Sequence, residues 1–77
     1  MLVSEALKQE EYAKSVIPDK TNAELIEMWE ENNQRSEKGL LEKTLKERIS
    51  LRISLELYDR GYRQQTQWVQ VKNFPIL

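Results

Sequence analysis

The sequence predicts a mostly α-helical fold: a small three-helix domain followed by an extended C-terminal tail. Three observations carry that reading. The 77 residues contain only two glycines and two prolines, and so few backbone breakers favour helices over many short strands. Thr21-Asn22-Ala23-Glu24 is a capping box, in which the Thr hydroxyl and the Glu carboxylate each satisfy an orphan amide of a helix N-terminus. From Leu40 to Arg60 nothing interrupts the chain, and Leu41, Leu45 and Ile49 advance by four, as one helix stripe does.

The first helix is expected over Ser4–Val16, capped by Ser4, with residues 1–3 a disordered lead. Ala6, Leu7, Tyr12, Ala13 and Val16 or Ile17 supply a thin apolar stripe. Pro18 should take Ile17 out of the helical region, because its ring crowds the preceding backbone, and Pro18-Asp19-Lys20 reads as a turn. The second helix follows Thr21, with Leu25, Met28 and Trp29 on one face. It should end near Asn32-Asn33-Gln34, and 36–39 is a short connection.

The third segment, 40–60, has two readings. As a helix it ends at Gly61, with Arg60 in its last turn. Its apolar arc is then wide, includes Arg48 and Arg52, and must meet two other elements or a second copy of the chain. As a strand, Ile49, Leu51, Ile53, Leu55 and Leu57 alternate with polar residues over nine positions, the period-two pattern of a half-buried sheet. The alternative fold is therefore α+β, two helices packed on a hairpin of 49–58 and 62–71. A lone hairpin is barely stable without cover, so the helix is preferred. Residues 66–77 read as an extended tail, apolar at Phe74-Pro75-Ile76-Leu77, that docks on its own domain or on a partner.

One domain of 1–77 is near the lower limit for folding alone. There is no cysteine or histidine, so disulfides, thiolate sites and the commonest metal ligand are absent. Close helix packing or a homo-oligomer must compensate. There is no apolar run long enough for a membrane span and no signal-like opening, and a cytoplasmic location is expected. Residues 1–39 carry nine acids and five bases, and residues 40–77 four acids and seven bases. The two halves therefore differ in sign despite a net charge of −1.

No catalytic machinery is legible. The Ser and Thr residues lack a histidine base, two isolated glycines make no phosphate loop, and Glu27, Glu30 and Glu31 read as a solvated face. No enzyme activity, cofactor or metal is expected. The leading functional reading is a small protein-protein interaction module (an adaptor, inhibitor or regulatory subunit) that binds a protein partner or itself through Trp68, Val69, Phe74 and Leu77. The alternative is a DNA-binding transcriptional regulator using the basic stretch 43–63, with Lys46, Arg48, Arg52, Arg60 and Arg63 as phosphate contacts and interleaved aromatic rings for stacking. A sequence pI of about 5.5 and acids at helical pairing distance, Glu42 with Lys46 and Glu56 with Arg60, weigh against it.

Within that stretch, Glu47-Arg48-Ile49-Ser50-Leu51-Arg52-Ile53-Ser54-Leu55-Glu56-Leu57 resembles the opening of a ribbon-helix-helix repressor. The resemblance implies a strand whose Arg48, Ser50 and Arg52 read the major groove from a dimeric ribbon, with Ser54 as the helix cap. It spans 11 of the 77 residues. The chain departs from the family after Ser54, where the remaining residues, with Pro75 among them, are too few for a second helix.

Overall fold

The computed structural model describes residues 2–71. Among them are three α-helices, α1 (Val3–Val16), α2 (Asn22–Asn33) and α3 (Leu40–Asp59), a 3-10 turn (Ile17–Asp19), and two short strands, β1 (Tyr62–Gln64) and β2 (Trp68–Gln70).

α2 begins as its sequence requires. Thr21 Oγ1 accepts from the Glu24 amide at 3.2 Å, and Glu24 Oε1 accepts from the Thr21 amide at 2.8 Å. α1 begins differently from expectation. Leu2, not Ser4, is the N-cap, no side chain caps the helix, and Val3 is already helical. Nor does Pro18 displace Ile17, which keeps a right-handed helical backbone (φ −53, ψ −47). Pro18 sits in the first positions of the 3-10 turn, where its missing amide leaves no helical hydrogen bond unmade.

α3 is the helix, not the strand, and the ribbon resemblance fails with that. Leu45, Ile49, Ile53 and Leu57 are its buried residues, spaced by four along one face. The hairpin of 49–58 and 62–71 is likewise replaced by a smaller one. Antiparallel β1 and β2 pair Tyr62 with Gln70, Arg63 with Val69 and Gln64 with Trp68. Gly61, at φ 91, supplies the left-handed step that ends α3 and starts β1.

The wide apolar arc of α3 is resolved by its having two helical neighbours. Glu10 meets Arg48, and Pro18 meets Arg60, so α1 runs alongside α3 in the same direction. Asn32 meets Ser50, and Asn22 meets Arg60, so α2 runs antiparallel. Ala6, Ala13, Ile17, Leu25, Trp68 and the four α3 residues form the core, with Met28, Trp29 and Tyr62 packed against it.

Two polar clusters fix the helices in register. Buried Asn32 donates to Lys46 O at 2.9 Å and to Ser50 Oγ at 2.8 Å, and Ser50 donates to Asn33 Oδ1 at 2.8 Å. At the other end Arg60 donates to Glu56 at 2.9 Å, Lys20 O at 2.7 Å, Asn22 Oδ1 at 3.0 Å and Pro18 O at 3.2 Å. A planar guanidinium fork satisfies several acceptors at once. It ties the α1–α2 connection to the end of α3.

Candidate protein-binding surface

A helix packed by two neighbours on one side keeps a sector facing outward. On α3 that sector holds Leu51, Leu55 and Tyr58, which recur at i, i+4 and i+7 and so share one face. They are 58%, 52% and 38% exposed. Leu40, at the start of α3, is also exposed and lies on the same sector by helical geometry. Thr44, Glu47 and Ser54 lie between them. The apolar stripe therefore occupies the C-terminal half of α3, opposite the core line, with Leu40 set apart at the helix start. It was missed in the sequence because alternation placed Leu51 and Leu55 on the same face as Ile49, Ile53 and Leu57. A helical wheel separates the two sets.

The tail residues assigned to partner binding fare unevenly. Trp68 is 7% exposed and is not a surface residue. Its ring meets Trp29 edge-on, with centroids 5.4 Å apart, and Tyr58 at 5.5 Å. A large aromatic ring is better buried when a groove between helices can take it. Val69, its neighbour on the strand, points the other way and is half-exposed. Phe74 and Leu77 lie outside the described residues.

The five cations offered for nucleic acid do not form one patch. Lys46 pairs with Glu37 at 3.3 Å and donates to Arg35 O at 3.0 Å. Glu42, its expected partner, accepts instead from the Lys38 amide at 3.0 Å. The expected Glu56–Arg60 pair forms, but Arg60 is turned toward 18–22. Arg63 donates to Tyr62 O at 2.6 Å and lies over the Tyr58 ring, 5.6 Å from its centroid. Arg48 grips Glu10 with two hydrogen bonds, one from Nη2 at 3.0 Å and one from Nε to Oε1. Arg52 contributes only its charge to the Glu10 site. Cations already spent on internal acceptors have less to offer phosphates.

Glu10 is a carboxylate buried on α1. The Arg48 hydrogen bonds hold its carboxyl below the usual range, burial pushes the other way, and the charges of Arg48, Arg52 and Lys14 assist the lowering. Arg48 is itself shifted upward by Glu10. Because the folded carboxyl is the stronger acid, its contribution is present above the ordinary carboxylate range and is lost as pH falls through the lowered value. Over half of the Arg48 side chain is exposed, so water screens the pair and the effect is modest. Glu10→Gln should lower the melting temperature near pH 6, and its gap from wild type should shrink towards about pH 3. A gap that is equal at both would show that the pair does not act through ionisation.

A cleft of about 530 Å³ opens between α1 and α2 over Ile49, with Ala13 and Met28 on its floor and Lys8, Tyr12 and Arg35 on its rim. Among the described residues, no three or more Asp or Glu side chains are placed to hold a metal ion, and no helix is long and apolar enough to cross a membrane. Comparison with protein-family models, with curated proteins and with solved structures gives no match.

Proposed function

We propose that this chain is a non-enzymatic protein-binding module, and that the outer face of α3 is its contact surface. The observation that supports this is the exposed pair Leu51 and Leu55 on the longest helix, continued by Tyr58, whose half-exposed ring packs on Trp68. An apolar row at helical spacing on a folded domain suits an amphipathic or extended apolar partner segment. Charged residues of both signs on the flanks, Glu47 on one side and Arg48 and Arg52 on the other, would orient such a partner without supplying most of the affinity. The DNA-binding reading has less support, because four of its five cations serve internal acceptors or an aromatic ring.

The test is affinity capture with the full chain as bait, comparing wild type with Leu51→Glu and Leu55→Glu. Both positions are exposed, so neither variant should move the melting temperature by more than about 4 °C, given a cost within about 0.5 kcal/mol. Proteins captured by wild type and lost in both variants are the expected result. An identical captured set for wild type and both variants would remove the α3 face from the reading.

A further inference from the structure

We infer that the cleft between α1 and α2 is a binding site for a small amphiphilic carboxylate that carries an N–H donor, the chemistry of an N-acyl amino acid. The site does not use the outer face of α3 and is tested independently of the proposed function.

Three features point there. The first is the floor. Ala13, Met28 and Ile49 give the cleft an apolar bottom, and its volume of about 530 Å³ falls within the range of about 300–1,000 Å³ usual for small-molecule sites. Ala13 and Ile49 belong to the core and are fixed by the packing beneath them. The unbranched Met28 side chain can adjust to an apolar body laid on it.

The second is charge. Lys8 and Arg35 stand on the rim, and among the described residues neither side chain has an ion pair or a hydrogen bond. That sets them apart from Lys46, Arg48, Arg60 and Arg63, which are engaged internally. Glu31 also lines the cleft, so the two cations outnumber the one anion. A carboxylate above an apolar floor complements that arrangement, since its two oxygens can accept from both cations at once.

The third is an open acceptor. Asn32 is buried and lines the cleft. Its amide nitrogen donates to Lys46 O and to Ser50 Oγ on α3, which uses both hydrogens and fixes the orientation of the amide. Its Oδ1 accepts no hydrogen bond among the described residues, and unlike Trp68 Nε1 it is not sealed from the surface. A ligand N–H set between the apolar body and the carboxylate gives that oxygen its donor.

The test is an NMR titration of the full chain with N-octanoylglycine. The backbone amides of Ala13, Met28 and Ile49 should shift, with a Kd of about 1 mM or tighter, the value a ligand of that size reaches at ordinary efficiency. Two analogues read the chemistry. The methyl ester removes the charge and should bind at least about fivefold more weakly. N-octanoylsarcosine carries a methyl in place of the amide hydrogen and should bind at least about threefold more weakly. Lys8→Gln and Arg35→Gln should each weaken binding of the acid by about threefold and leave binding of the ester unchanged. Both side chains are exposed, so both variants should keep the folded spectrum.

No shift of the three amides at about 10 mM acid would overturn the inference. So would an ester or a sarcosine analogue that binds as tightly as the acid, or rim variants that bind the acid as wild type does. Shifts confined to Leu51 and Leu55 would also overturn it, and would assign the amphiphile to the outer face of α3.

Discussion

Trp68→Ala should cost about 3–5 kcal/mol, the usual range for deleting a buried large aromatic ring. A chain of this length has only about 4–12 kcal/mol in total, so the variant should be partly unfolded on warming. Its melting temperature should fall by at least about 12 °C, followed by circular dichroism. The loss comes from one place. Trp68 is the buried residue of the hairpin and fills the space against Trp29 on α2 and Tyr58 on α3. Without it, β1 and β2 are a two-stranded ribbon of three residues each, which does not hold alone. Trp68→Phe should behave differently. The Trp68 indole N–H is buried with no hydrogen-bond partner among the described residues, so phenylalanine removes a donor whose burial is uncompensated. That variant should stay within about 1.5 kcal/mol of wild type. A Trp68→Ala melt equal to wild type would mean that the hairpin does not dock on the helices. The same result bears on function: loss of partner binding in Trp68→Ala would report unfolding, not a lost contact.

Alanine substitution along 49–57 should fall into two classes. Ile53→Ala and Leu57→Ala remove fully buried side chains and should cost about 2–5 kcal/mol each. Leu51→Ala and Leu55→Ala remove exposed ones and should stay within about 0.5 kcal/mol. Urea unfolding of the four variants reads the contrast directly. A half-buried strand would give one class, since all five apolar residues of the alternating run would share its face. Equal costs at all four positions would overturn the helix assignment of this segment.

The capping box shows what local chemistry can fix. Thr21 and Glu24 need only each other and two amides three residues apart, so their bonds are legible without any tertiary information. The same holds for Gly61, where a helix ends on a residue free to adopt positive φ, and for Glu56 with Arg60 one turn apart. Of Trp68, Val69, Phe74 and Leu77, read as partner-binding, Trp68 is taken up by its own domain, and an apolar tail looks the same in sequence whether its own domain or another takes it up. The Arg48 pair was equally hidden. Glu10 and Arg48 are 38 residues apart, and no local spacing connects them.

The sequence by itself determined the helical class, the start of α2, the end of α3, and the absence of thiol and imidazole chemistry. Each depends on residue types or on neighbours within about one helical turn. Only the tertiary structure decided which side of the 49–57 segment is core and where Trp68 goes, and it showed Lys46, Arg48, Arg60 and Arg63 to be already engaged. Those outcomes depend on α1 and α2 occupying two sides of α3 and leaving the third open, an arrangement of elements distant in the chain. A period of two and a period of four share every second apolar position, so alternation groups Leu51 and Leu55 with Ile53, and only the helical period sets them apart. Packing separated them, because the two helices bury only the side chains they can touch.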